Sequence, residues 1–247
     1  MGLQVAALRI QSELLVERQN MAAFDPAFLP LVYPLLDQDE QLRRVAAYAA
    51  MMETRRSVRD YSSEPVPFAV IEEAVRAASS APSGANKQPW RFVVVENSEL
   101  KRRLRAAAEH EEWEFYNHRA TPEWLHDIFP LGTEWQKPFL ETAPYIIVVF
   151  RQDYELRVRP DGTPDKYNNY YVNESVGIAV GMLLTALHLA GLATMVHTPG
   201  PMGFLGRELG RPENERAFAV IPVGLPAENA RVPHLKKKSL EDVLVRI

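Results

Sequence analysis

The sequence predicts a globular domain in which helices and strands pack around a central sheet, an α/β arrangement. With 247 residues, 47% of them hydrophobic, the chain can bury a core of its own. Residues 145–150 form an unbroken apolar run, which is typical of a strand buried on both faces. Residues 173–190 are apolar on nearly all sides at helical spacing, which predicts a helix that other elements cover.

The remaining elements follow from periodicity along the chain. Helices are predicted over 68–79 and 98–110, and strands over 90–95, 194–198 and 218–223. Residues 1–50 are punctuated by proline and predict an N-terminal arm that lies on a surface, while residues 51–247 form the domain. Within the domain, residues 111–140 interleave aromatic and charged side chains and predict a lid, although an ordinary helical hairpin with inward aromatics has the same composition.

Composition excludes several classes of function. The chain has no cysteine, which rules out disulfides, thiolate metal sites, cysteine nucleophiles and cysteine-ligated clusters. The six histidines are scattered, so we expect no metal site. A net charge of -4 gives no electrostatic reason to expect nucleic acid or an anionic membrane. Neither a signal-peptide pattern nor an apolar run of roughly 18 residues occurs, so we expect a cytoplasmic protein without a membrane span.

Two segments predict an anionic cofactor. Residues 55–59, Arg-Arg-Ser-Val-Arg, place three guanidiniums close together, and these offer bidentate donors to a phosphate. Residues 82–90, Pro-Ser-Gly-Ala-Asn-Lys-Gln-Pro-Trp, form a turn-rich loop that leads into a strand. The alternative interpretation of the arginines is a solvated basic face, which the turn-rich loop makes the weaker of the two. No Gly-x-Gly-x-x-Gly motif after a strand and no Walker A motif occurs, so the phosphate hypothesis depends on the arginines.

These two segments, together with the basic residues 235–238, resemble the FMN-dependent nitroreductase superfamily from about residue 51 to the C-terminus. The resemblance implies an α+β fold with a central, mostly antiparallel sheet flanked by helices, and an intertwined homodimer with FMN at the subunit interface. The long helix from Asn173 would lie in that interface. The implied FMN site consists of Arg55, Arg56, Ser57, Val58, Arg59, Pro82, Ser83, Val196, His197, Thr198 and Lys237.

Within the superfamily, the lid resembles the iodotyrosine deiodinase branch through the joint spacing of Glu112, Tyr116 and Lys137. A free amino acid presents an ammonium group, which Glu112 can accept, and a carboxylate, which Lys137 and Tyr116 can bind. The resemblance also implies that the Ala85 backbone N–H contacts a substrate phenolate, as a donor in an oxyanion hole does. These four residues form the predicted substrate site.

Thr198 lies where the resemblance places a hydroxyl against flavin N5, a contact that favours single-electron steps. The implied activity is FMN-dependent reductive dehalogenation of halotyrosines to tyrosine and halide, with Thr198 as the catalytic residue. The alternatives are a broad nitroreductase or flavin reductase that uses NAD(P)H, a flavin-fragmenting enzyme, and a non-catalytic flavoprotein that binds an aromatic amino acid. Either NAD(P)H or a reductase or carrier protein would supply the electrons. His197 replaces a threonine of the branch, and a structural role at a strand end is expected for it.

Overall fold

The computed structural model describes residues 28–247, and the chain divides into two units, Met1–Ala46 and Ala47–Ile247. In the first unit, residues 28–37 have no regular secondary structure and are almost entirely exposed. Helix α1, Gln38–Thr54, begins in this unit, crosses the predicted arm boundary at residue 50 and has no buried residue. The part of the predicted arm before residue 28 lies outside the described residues.

The second unit is built on a four-stranded sheet in the order β1-β2-β6-β5. Strand β2, Tyr145–Gln152, pairs antiparallel with β1, Trp90–Val95, and with β6, Glu215–Gly224. The short strand β5, Ala193–Thr194, pairs antiparallel with β6. The predicted antiparallel, sheet-based core is therefore confirmed. Outside this sheet, β3, Tyr154–Val158, and β4, Pro164–Asn168, form a separate antiparallel hairpin.

Helices cover both faces of the sheet. Successive side chains of β2 therefore alternate between two hydrophobic cores, one on each face. Ile147 and Val149 face one core, and Ile146 and Val148 face the other. The helices of this unit are α2, Phe68–Ser79; α3, Ser98–Glu114; α4, Pro122–Ile128; α5, Phe139–Thr142; α6, Val172–Leu189; and α7, Gly203–Glu208.

Helix α6 packs one side into the core and leaves the other open. Val176, Leu183 and Leu187 are buried in the same core as residues of α2. On the opposite side, Ile178 and Leu189 are exposed, so residues 28–247 do not cover the helix all round. By length and composition alone α6 would also pass as a membrane-crossing helix, although a third of it is buried inside the protein.

Several element boundaries differ from the prediction, and β6 begins three residues before the strand predicted over 218–223. Helix α3 continues four residues past His110, because Glu111–Glu114 are compatible with a helix, and it then passes into a π-helical turn, Phe115–Arg119. The strand predicted over 194–198 ends at Thr194, and only His197 makes a further isolated bridge, to Val220. Pro199 follows closely, and since it lacks an N–H it cannot extend a ladder.

Candidate active site

The arginine segment lies beside β5, at one edge of the sheet. Ser57 forms a parallel bridge with Thr194, and the Val58 N–H donates to the Thr194 carbonyl at 3.1 Å. The Ala227 N–H donates to the Asp60 carbonyl at 2.9 Å, which brings the chain that follows β6 next to the arginine segment.

A cavity of about 100 Å³ forms there, and Arg55, Arg56, Ser57, Arg59 and Lys237 line it. Arg59 Nε is buried and has no hydrogen-bond partner within the described part of the chain. An unpaired buried donor among other cations fits an anion such as a phosphate. The cofactor-binding prediction for these residues is thus compatible with how they are arranged.

A second cavity, of about 430 Å³, lies under the segment predicted to be a lid. Glu112, Tyr116 and Lys137 line it together with His197 and Thr198. Arg59 also reaches this cavity, so its side chain borders both the cationic cavity and the lid cavity. The structure therefore brings the three predicted zwitterion-binding residues to the predicted flavin-binding segment.

Glu112 and Tyr116 share a face because they are four residues apart at the end of α3. The π-helical turn that carries Tyr116 widens the helix at this point, and such turns are frequent at functional sites. Arg119, the last residue of the turn, donates to the Gly200 carbonyl at 3.3 Å. This contact connects the lid to the loop that follows Thr198.

Lys137 comes from a segment twenty-one positions after Tyr116 in the sequence, yet its ammonium lies 3.2 Å from Glu112 Oε2. The lysine side chain is only 3% exposed and the glutamate side chain 10%. Lys137 Nζ also donates to the Glu134 carbonyl and lies 5.4 Å from the centre of the Tyr116 ring. Its backbone N–H donates to Glu109 Oε1 at 2.7 Å, which anchors the segment to α3.

Burial opposes both charges of this pair. Desolvation raises the pKa of Glu112, while the nearby Lys137 ammonium acts to lower it. Desolvation likewise lowers the pKa of Lys137, and Glu112 acts in the opposite direction. Each residue therefore depends on the other to keep its charge, as is typical of a buried ion pair.

Tyr116 is held by an aromatic cluster within the lid. Its ring meets Trp124 edge-on at 5.4 Å, and Phe115 meets Trp124 in the same way at 4.8 Å. Edge-to-face contacts at these distances stabilise ring orientation. Burial raises the pKa of Tyr116, and Thr133, which lines the same cavity, acts to lower it. No motif or spacing in the sequence predicts Thr133 as a site residue.

His197 is buried beneath the same cavity. Its Nε2 atom has no hydrogen-bond partner in residues 28–247, and its ring meets Phe139 edge-on at 5.6 Å. Desolvation, reinforced by the charges of Lys137 and Arg59, lowers the pKa of His197 to about 3. The imidazole is therefore neutral at physiological pH.

The neighbours of His197 point to the other side of the segment. Val196 and Thr198 are exposed, whereas Met195 and His197 are buried. This alternation is that of an extended chain, in which successive side chains lie on opposite faces. The Thr198 hydroxyl is consequently free to meet a ligand, while the backbone of His197 is held by two 2.8 Å hydrogen bonds to Val220.

The loop that contains Pro82, Ser83 and Ala85 does not line either cavity. It leads into Trp90 at the start of β1, whereas the arginines adjoin β5 at the other edge of the sheet. Three strand spacings alone separate these edges by about 14 Å, and the two points also lie at opposite ends of the strands. Within a single chain the two predicted parts of the flavin site are therefore apart.

This loop has an unusual backbone. Ala85, Asn86 and Gln88 have φ values of 51°, 53° and 47°, in the left-handed region that costs non-glycine residues roughly 1–2 kcal/mol each. At Gly84 a Cβ atom would lie 2.9 Å from the Tyr170 carbonyl oxygen, so no larger residue fits. The Gln88 N–H donates to Ser83 Oγ at 2.9 Å and closes the loop.

Comparisons with known proteins agree on one family. The Nitroreductase family model matches residues 52–225. The chain is 54% identical to an iodotyrosine deiodinase of Haliscomenobacter hydrossis, over 89% of this chain and 97% of that protein. It is 40% identical to iodotyrosine deiodinase 1 of Rattus norvegicus, over 85% of this chain and 73% of that protein.

A solved structure gives the same result. The crystal structure of an oxidised iodotyrosine deiodinase bound to FMN and 3-iodo-L-tyrosine matches with a TM-score of 0.66 and 32% identity. The match covers 81% of this chain and 97% of that chain.

Proposed function

The chain belongs to the nitroreductase family, in its iodotyrosine deiodinase branch, and we propose that it is an FMN-dependent reductive dehalogenase of halotyrosines. The products are tyrosine and a halide ion. The observation that carries this function is the convergence of Glu112, Tyr116 and Lys137 in one buried cavity beside Thr198. That arrangement supplies one anionic and one cationic group, as recognition of a free amino acid requires.

In the substrate complex, Glu112 would receive the substrate ammonium, and Lys137 and Tyr116 would bind its carboxylate. The two charged side chains already contact each other at 3.2 Å. A zwitterion therefore replaces one buried ion pair by two, and neither protein charge is left without a partner. A ligand without both charges would leave at least one of these buried groups unpaired, which is costly. This is the physical basis we propose for selecting amino acids.

The residues around the arginine cavity fit FMN. Arg55, Arg56, Arg59 and Lys237 would hold the phosphate, and the unpartnered Arg59 Nε has a donor to offer. Lys237 offers a point charge and not the planar fork of an arginine, so this corner binds phosphate with less geometric specificity. When bound in its reduced form, FMN supplies the two electrons of the reaction.

The reaction consumes those two electrons and one proton. The ring carbon–halogen bond breaks, the halide leaves with the bonding pair, and a carbon–hydrogen bond takes its place. The Ala85 N–H would bind the phenolate oxygen, and the Thr198 hydroxyl would donate to flavin N5. Closure of the lid over the amino acid would exclude water from the reacting ring.

We further propose that the active enzyme is a homodimer. The loop of Ser83 and Ala85 lies at the sheet edge remote from the arginines, so a second copy is needed to bring both parts to one flavin. The outer side of α6 supports this, because a groove of about 610 Å³ lies there with Ile178, Met182 and Leu189 on its walls. An exposed apolar groove of this size suits a second protein chain.

The electron donor is proposed to be NAD(P)H or a reductase or carrier protein, and the location to be the cytoplasm. For the electron donor, comparing NADH, NADPH and a reduced carrier protein as sources of turnover would decide between these possibilities.

The function is tested under anaerobic conditions. FMN-loaded protein is reduced with dithionite and mixed with 3-iodotyrosine, and flavin reoxidation is followed together with iodide release. One iodide for each flavin reoxidised supports the dehalogenase. Flavin that stays reduced with 3-iodotyrosine but is reoxidised by a nitroaromatic compound would instead identify a broad nitroreductase.

A further inference from the structure

Lys87 connects the loop of Ala85 to the β3–β4 hairpin. Its Nζ donates to Glu155 Oε1 at 3.0 Å and lies 4.2 Å from the centre of the Tyr167 ring. Glu155 and Tyr167 are directly opposed partners in the hairpin. The Lys87 side chain is only 13% exposed, whereas the Glu155 side chain is 35% exposed and also pairs with Arg157 at 2.7 Å. The ion pair and the cation–π contact together give this lysine a defined position.

Lys87 is also the residue about which the loop turns. Ala85, Asn86 and Gln88 all have positive φ, whereas Lys87 has a φ of -69°. Non-glycine residues persist in the left-handed region only where the surrounding structure holds them there. The Ser83–Gln88 hydrogen bond closes the base of the loop, and the Gly84 N–H donates to Ser175 Oγ at 3.3 Å. The Lys87 side chain adds a contact with the hairpin two residues after Ala85.

We propose that Lys87 is a positioning residue, which holds the loop so that the Ala85 N–H meets the substrate phenolate. This inference rests on the proposed function, since it assigns the phenolate to Ala85. The hairpin thereby acquires a role in the reaction although it lies outside the main sheet. A donor aimed at the phenolate favours the ionised phenol, so the lysine would affect how substrate binding depends on pH.

The test compares two ligands that differ by the phenol hydroxyl. Binding of 3-iodotyrosine and of 3-iodo-L-phenylalanine to FMN-loaded protein is measured by flavin fluorescence across the pH range in which the phenol ionises. In Lys87→Met we expect about tenfold weaker binding of 3-iodotyrosine in its phenolate form, and therefore a flatter pH profile. Binding of 3-iodo-L-phenylalanine should be unchanged, because it lacks the oxygen that Ala85 contacts.

Lys166→Met is the matched control. Lys166 lies on the same hairpin, pairs with Glu213 at 2.9 Å and lies 4.5 Å from the Tyr154 ring centre, and none of these partners belongs to the loop. We expect this variant to bind both ligands as the unmodified protein does. Glu155→Gln, which weakens the same contact from the hairpin side, should change the profile in the direction of Lys87→Met.

Equal losses for both ligands in Lys87→Met, or no loss for either, would overturn the proposal. So would a Lys87→Arg variant that loses as much as Lys87→Met, because arginine can keep the charge at Glu155 and Tyr167. Iodide release by the unmodified protein is measured as well, so that failure of this proposal can be distinguished from failure of the proposed function. Without that release the dehalogenase assignment fails, whereas release with an unaltered Lys87→Met profile refutes only the role of the lysine.

Discussion

Replacing Glu112 by glutamine should separate amino acid recognition from flavin chemistry. The carboxylate side chain is 10% exposed and lies 3.2 Å from Lys137 Nζ, so the substrate ammonium would meet it in a largely desolvated site. A hydrogen bond to a charged partner is worth roughly 1.5–3 kcal/mol in such a setting. Glutamine keeps the shape and one acceptor oxygen but loses the charge.

The substitution should also weaken the other half of the clamp. Burial already lowers the pKa of Lys137, and Glu112 is the group that opposes this shift most. Without the carboxylate, a larger fraction of Lys137 is neutral and binds the substrate carboxylate less well. We therefore expect kcat/KM for 3-iodotyrosine to fall by about ten- to a hundredfold, since each 1.4 kcal/mol is a factor of ten.

The assay measures iodide release from 3-iodotyrosine and, separately, reduction of a nitroaromatic compound that carries no amino acid group. Nitroaromatic reduction should change by less than about twofold, because it does not use the clamp. Glu111→Gln is the control: Glu111 is the adjacent carboxylate on α3, and its Oε2 lies 3.7 Å from Arg119 Nη2. Equal losses with both substrates would refute the reasoning, since they would indicate a damaged lid. Unchanged iodide release would refute it as well.

Three further substitutions test other parts of the site. The pKa of His197 is lowered to about 3, so below the ordinary value of 6.5 the unfolded chain binds a proton that the folded protein does not. The free energy of unfolding therefore falls by about 1.4 kcal/mol for each pH unit below 6.5, and His197→Thr should abolish this decrease. Urea unfolding of both FMN-loaded proteins at several acidic pH values would measure this. The prediction is contradicted if the free energy of unfolding depends on pH in the same way in the variant and in the unmodified protein. Thr198→Ala should slow iodide release while preserving nitroaromatic reduction, Thr198→Ser should restore it, and equal loss of both activities would speak against the role at N5. Lys237→Arg should tighten FMN binding by about threefold to tenfold in equilibrium dialysis, and the same gain in Lys238→Arg would show that the effect is not specific to position 237.

The sequence was sufficient where local periodicity determines the structure. The apolar run at 145–150 lies in β2 with both faces buried, as predicted, because an uninterrupted hydrophobic strand needs cover on both sides. Glu112 and Tyr116 share a face because they are four residues apart on a helix. Helical periodicity could not predict that Lys137 lies beside these two residues, since the chain between Tyr116 and Lys137 passes through α4 and a short 3-10 segment. Lys137 was predicted because its spacing from Tyr116 in the sequence matches that of the family.

Long-range packing explains what the sequence did not reveal. Positive φ values are usually predicted from glycine, and Ala85, Asn86 and Gln88 are not glycines. Contacts of this loop with the hairpin and with Ser83 hold their conformation, and the sequence does not reveal those contacts. His197 likewise packs against Phe139, which approaches it from a distant part of the chain.

The position of the Ser83 loop shows how the fold relates to the proposed mechanism. Both segments proposed to bind flavin adjoin edge strands of one antiparallel sheet, and they lie at its opposite edges. In the proposed homodimer, a second copy would bring the β1 side of one subunit near the β5 side of the other. If one flavin needs both segments, then protein diluted to monomers should lose FMN affinity and iodide release together, and a monomer that retains both would show that the arginine side alone suffices. The phenolate contact assigned to Ala85, and with it the role of Lys87, would then act across the subunit boundary.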